Sequence, residues 1–140
     1  MTSKSRAGGC LCGRIRYEVI GEAMAAACCY CTDCQRRTGS DRYLSLWLKE
    51  GAFRLSQGEP KTYARGSDSG HGRVHHFCGD CGIHLYILAE PKNIVSLSVL
   101  SLDEPLGFDP ALAIFTASAS PWTRLPADIP CHERMPSRRS

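Results

Sequence analysis

Seven cysteines in three short groups, Cys10-Leu11-Cys12, Cys29-Tyr30-Cys31-Thr32-Asp33-Cys34 and Cys78-Gly79-Asp80-Cys81, constrain this chain more than any other feature. Thiols at that density are expected to converge on soft metal ions, and a shared metal dictates which distant segments must meet. In the second group an extended strand turns Cys29 and Cys31 to one side and Cys28 and Tyr30 to the other, because alternate residues share a face. A turn into a short helix over Thr32 to Arg37 brings Cys34 back to the same point, with helix-terminal amides favouring its thiolate form. Three sulfurs can then meet one zinc ion at roughly 2.3 Å each, with a fourth position left over. Structural zinc sites are closed by four protein ligands, whereas a catalytic one keeps a position for water or substrate.

Cys10 and Cys12 offer two ligands with nothing local to complete them, and so do Cys78 and Cys81. A lone Cys-x-x-Cys is ambiguous between zinc and thiol redox chemistry. The two pairs together make a closed set of four thiolates. Such a site ties the first strand to the middle of the chain, and its binding free energy becomes part of folding.

The remaining composition narrows the setting. A chain of 140 residues has room for one domain with a modest core. It contains no run of about 18 apolar residues that could span a bilayer. Residues 1–9 carry Lys4 and Arg6 with no apolar run behind them, unlike a secretory signal. Nine cysteines, an odd number, then point to a reducing compartment, the cytoplasm, where thiols bind metal in preference to pairing. A net charge of +3 is mild beside the strongly basic balance, pI above about 9, of nucleic-acid-binding domains. No basic stripe interleaved with aromatics appears, and the Ser137-Arg138-Arg139 tail is too short to supply one.

Short strands and turns dominate the periodicity. Arg14 to Val19 alternates strictly, placing Ile15, Tyr17 and Val19 on a buried face. Ala23 to Cys29 reads as a strand delivering the three-cysteine claw, and Gly39 after a basic last turn reads as the helix stop. Tyr43 to Lys49 reads as a central strand. Further strands are expected at Phe53 to Leu55, Lys61 to Arg65, Val74 to Phe77, Leu85 to Leu88 and Ile94 to Leu100, with a mobile loop over Ser67 to Gly72. The expectation is a single domain over residues 8–136, between disordered tails at 1–7 and 137–140.

These groups, taken with Gln35-Arg36-Arg37-Thr38-Gly39-Ser40, Phe77 and Gly82 beside the third pair, and Phe115-Thr116-Ala117-Ser118 with Pro121-Trp122, resemble the glutathione-dependent formaldehyde-activating enzyme family. The resemblance covers about residues 8 to 136. It implies a mainly β, Mss4-like β-tent of short antiparallel strands with zinc knuckles and one short helix. It also implies two zinc ions: a structural one on Cys10, Cys12, Cys78 and Cys81, and a catalytic one on Cys29, Cys31 and Cys34. Tyr30, where the family often has histidine, and the additional Cys28 depart from the pattern. The implied activity is a carbon–sulfur lyase joining glutathione, or a similar thiol, to formaldehyde or another small aldehyde. The alternative is a non-catalytic zinc module of the same fold that binds a protein partner.

Individual residues follow from that reading. Arg36 and Arg37, just after the claw, could offset its negative charge and receive a glutathione carboxylate, against a solvated helix end as the plainer role. Trp122 could form a pocket wall, although an isolated Trp is usually core. His75 and His76 must face opposite ways along a strand, so at most one can reach a metal or substrate. His84 and Tyr86 are expected to share a face, lining the pocket or packing in the core. Cys28 reads as a small buried hydrophobe in preference to a resolving thiol for Cys29, and Cys131 as a free thiol.

Overall fold

The computed structural model describes residues 6–66, 70, 72–105 and 107–136. Within these the chain is mainly β, with a single α-helix and two sheets. The first sheet has three strands, β1 (Arg6–Gly9), β2 (Arg16–Val19) and β5 (Phe53–Gln57), all antiparallel with β2 in the middle. The alternation of β2 buries Tyr17 and Val19 completely and leaves Arg16 and Glu18 half-buried. The Tyr17 hydroxyl is satisfied by Ser101 Oγ at 2.6 Å, so this polar tip carried into the core has a partner.

The second sheet contains β3 (Ala25–Cys29), β4 (Tyr43–Leu48), β6 (Lys61–Gly66), β7 (Gly72–Phe77), β8 (His84–Ala89), β9 (Ile94–Ser98) and β10 (Leu112–Ile114), in the order β10-β3-β4-β9-β8-β7-β6. Helix α1 (Thr32–Thr38) follows β3 directly and ends at Gly39, whose φ of 68° is the left-handed geometry glycine adopts without steric cost. No helix among the described residues is long and apolar enough to cross a membrane.

The pairing register shows how this sheet divides the molecule. Starting from Cys29 and moving partner by partner, one face carries Cys29, Tyr43, Ser45, Trp47, Ser96, Ile87, His75 and Arg73. The opposite face carries Leu46, Leu48, Leu97 and Val95, which pack with Tyr17, Val19, Phe53 and Leu55 of the three-stranded sheet into the main core. One face is therefore spent on stability. The other is left for a site, partly covered by α1 and the Phe115–Ser118 turn.

Three expectations need correction. Arg6 and Ala7, assigned to a tail, pair with Val19 and Glu18 in β1. The strands are not all antiparallel, because β10 runs parallel to β3 (Leu112 beside Ala27, Ile114 beside Cys29). This three-residue strand has no periodicity to announce it and is held on its other side by the returning chain, with Ala113 N–H donating to Pro130 O at 2.9 Å and His132 N–H donating to Ala113 O at 2.8 Å. His84 and Tyr86 do not share surroundings, since the register shift between His76 and Phe77 lies opposite them. His84 packs edge-on to Tyr43, whereas Tyr86 stacks on His76 and meets Phe53. The expected tail at 137–140 and most of the expected loop at 67–72 lie outside the described residues.

Candidate metal centres and cavity

Two groups of sulfurs converge in the fold. The Sγ atoms of Cys10, Cys12, Cys78 and Cys81 lie within 4.8 Å of one another, and so do those of Cys29, Cys31 and Cys34. All are free thiols. The separations Cys10–Cys12, 3.6 Å, and Cys12–Cys78, 3.8 Å, are far beyond a disulfide bond. They match the edge of about 3.8 Å that a tetrahedron has when each sulfur is ~2.3 Å from its centre.

The four-sulfur group is built from two matching turns. In the first, Cys10 N–H donates to Ile15 O, Gly13 N–H donates to Cys10 O, and Gly13 takes a φ of 80°. In the second, Cys78 N–H donates to Ile83 O, Gly82 N–H donates to Cys78 O, and Gly82 takes a φ of 79°. Each turn aims backbone N–H groups at sulfur: Ile15 at Cys10, 3.3 Å, and Asp80 and Cys81 at Cys78, 3.4 Å each. Such donors stabilise thiolate, the form a metal takes. The set joins residues 66 apart along the chain and could hold a metal ion, consistent with zinc.

The claw is assembled by β3 and α1. Cys29 ends the strand, Cys31 is the helix N-cap and receives the Cys34 N–H on its sulfur at 3.3 Å, and Cys34 lies on the buried side of the first turn. Arg37, one turn on, donates from Nη2 to Cys34 Sγ at 3.2 Å while its guanidinium lies 4.7 Å from the centre of the Tyr43 ring. Hydrogen bonding from Cys29 and then Cys34, supported by the Cys34 N–H and Arg37, holds the Cys31 thiol down at about 2. Cys29 is pushed strongly up by its bond to Cys31, then by Cys34 and by burial. Cys34 has its thiolate favoured by Cys29, but Cys31 and burial outweigh this and raise it to about 11. Cys28 and Tyr30 point the other way, into a separate cluster with Ala113, as strand alternation requires.

The three claw cysteines line a cavity of about 540 Å³ on the free face of the large sheet. Ligand sites run from about 300 to 1,000 Å³, so this one suits a molecule much larger than a small aldehyde. Trp47, Ile87, Ile114 and Phe115 supply apolar wall, and Arg37, Arg65, Arg73, His75 and Asp33 supply charge and polarity. Phe115 sits at a φ of 57°, a position non-glycine residues occupy at some cost. The turn it opens is latched to α1, where Gln35 Nε2 donates to Ser118 O at 3.0 Å and to Tyr30 O at 2.7 Å.

Residues 5–118 match the sequence pattern of the family described as glutathione-dependent formaldehyde-activating enzyme. The chain belongs to that family. Its fold is shared with a crystal structure of a Rhodobacter sphaeroides protein, 24% identical, aligned over 74% of this chain and 91% of the other with a TM-score of 0.57. A comparison with curated proteins gave no match.

Set against the family reading, the structure brings together all seven cysteines of the three groups and sorts the other candidates. Arg37 lines the cavity, whereas Arg36 is exposed on the outer side of α1 and does not. Trp122 is 70% exposed and outside the cavity, where the tryptophan is Trp47 instead. Of the two adjacent histidines, His75 faces the cavity, while His76 stacks on Tyr86 and is bonded through Nδ1 to Val74 O. His84 lies behind the claw, with Nε2 at 3.2 Å from the Tyr43 hydroxyl, which donates to Ser96 O. Burial first, and then the Arg37 charge, lowers the pKa of His75 to about 4 and of His84 to about 3, so both rings are neutral at neutral pH. Sequence reading passed over Arg65, Arg73 and Trp47, because only strand order and register bring them to the claw.

Proposed function

We propose that the protein is a zinc-dependent carbon–sulfur lyase that joins glutathione, or a similar thiol, to formaldehyde or another small aldehyde. The observation carrying this reading is the difference between the two sulfur groups: four thiols close one site, while three thiols line a cavity with a coordination position to spare. In the forward direction the thiol adds across the carbonyl. A carbon–sulfur bond forms, the carbonyl π bond breaks, and the thiol proton finishes on the new hydroxyl, with nothing oxidised or reduced. Zinc held by Cys29, Cys31 and Cys34 would favour the thiolate of a bound thiol and polarise a carbonyl oxygen.

The chain's own residues arrange the rest. Arg37, bonded to Cys34 Sγ, would offset the negative charge that the three sulfurs carry as thiolates on a metal, and keeps the claw oriented. Trp47, Ile87, Ile114 and Phe115 give the place where the hemithioacetal forms an apolar wall, which would strengthen the electrostatic contacts made there. Cys10, Cys12, Cys78 and Cys81 would hold the second, structural zinc. Nine free thiols suit a reducing setting, and we place the protein in the cytoplasm.

The test is magnetisation exchange between ¹³C-formaldehyde hydrate and S-hydroxymethylglutathione. Zinc-loaded protein is expected to accelerate exchange above the spontaneous rate, and Cys31→Ser to return it to that rate. Exchange at the spontaneous rate with wild-type protein carrying both zinc ions overturns the proposal.

A further inference from the structure

Arg65 and Arg73 are direct cross-strand partners on the β6–β7 hairpin, so their side chains stand on the same face. Both line the cavity that holds the claw. Like charges directly opposite one another destabilise a strand pair, so this arrangement carries a cost that a bound anion would relieve. Asp33 Oδ2 lies 2.9 Å from Arg65 Nε and is the only carboxylate lining the cavity among the described residues, against three guanidinium groups. No ion pair among the described residues engages Arg73 or Arg37.

The same contact measures reach. Asp33 lies between Cys31 and Cys34, so the bridge to Arg65 means that the large sheet curls until its far edge meets the helix bearing the claw. In a flat sheet, β3 and β6 would be five strand spacings apart, roughly 24 Å. His75, two residues from Arg73 on the same face, responds to the resulting field: after burial, Arg37, then Arg65 and Arg73, act to keep it unprotonated, with Asp33 opposing them.

We propose that Arg65 and Arg73 form a carboxylate-recognition site on the rim of the cavity, selecting thiols that carry anionic groups remote from their sulfur. Planar guanidinium forks match carboxylate oxygens two at a time, which a lysine or histidine pair cannot do. A glutathione-like thiol has carboxylates at both ends of its backbone and presents them as its sulfur enters the claw; simple neutral thiols have nothing to offer the hairpin. This rests on the claw being the thiol site, but its test requires no turnover.

The probe is γ-glutamyl-alanyl-glycine, the glutathione backbone without sulfur, titrated calorimetrically into zinc-replete protein. Wild-type protein is expected to bind it, with Kd rising about tenfold or more in Arg73→Gln and recovering in part in Arg73→Lys. The dimethyl ester of the probe is expected to bind wild-type protein no better than the free peptide binds Arg73→Gln. Absence of peptide binding to wild-type protein, equal binding of peptide and ester, or an unchanged Kd in a folded Arg73→Gln each overturns the proposal. Peptide binding without aldehyde–thiol exchange refutes the reaction and leaves the recognition site standing.

Discussion

Cys31 illustrates how several demands meet in one residue. It caps the helix, receives the Cys34 N–H, and has its pKa lowered by hydrogen bonding from Cys29 and then Cys34. Cys31→Ser is expected to stay folded, because serine is itself a good N-cap, yet to lose the claw metal and with it activity. Cys28→Ser is the matched control: its side chain points into the opposite cluster, so zinc content should be unchanged while burial of the hydroxyl costs about 1–3 kcal/mol. The two half-buried histidines supply a pH test. Burial disfavours imidazolium, so their folded pKa values lie below the ordinary 6.5, and the stability they contribute is lost as pH falls from that value through about 4 for His75 and about 3 for His84. Imidazole chemical shifts are expected to show both rings neutral at pH 5; a midpoint near 6.5 for either would contradict the burial argument. At this scale the claw was legible because its three thiols are local. Arg73 was not, because it reaches the cavity only through the pairing of four intervening strand boundaries.

Among elements, the two knuckles and β1 carry long-range order. The four-sulfur group joins the segment before β2 to the turn after β7, and structural zinc contributes about 10–16 kcal/mol of apparent binding against a whole-domain stability of about 5–15 kcal/mol. Cys78→Ser is therefore expected to unfold or precipitate, observed as loss of the β signal in circular dichroism; a cooperative melt near the wild-type temperature would contradict this. Within β1, a Cβ on Gly8 would collide with the Tyr17 hydroxyl and the Ser101 carbonyl oxygen. Gly8→Ala should cost about 1–3 kcal/mol, measured as a lower denaturant midpoint. Strands with clean alternation, such as β2 and β9, were readable from sequence. β1 and β10 were not, since Arg-Ala-Gly-Gly and Leu-Ala-Ile take their strand form from partners supplied by the rest of the fold.

For the molecule as a whole, one sheet face packs against a smaller sheet to make the core, and the other is free to hold a cavity with a three-thiol claw inside it. The cysteine spacing alone indicated one group of four thiols and one of three, with the fourth position of the claw left open; that the two have different jobs is what the family resemblance implied. The cavity was harder to foresee: it depends on the curl that brings Arg65 to Asp33, a consequence of sheet shape that no local pattern encodes. The family match bears on the chemistry, and the separation of structural from reactive metal is the claim that organises the rest. The zinc content of folded Cys31→Ser tests it most directly. One zinc ion per chain is expected, against two in the wild type, with the native circular dichroism spectrum retained; two ions in the folded variant, or a variant that is unfolded, would contradict that separation.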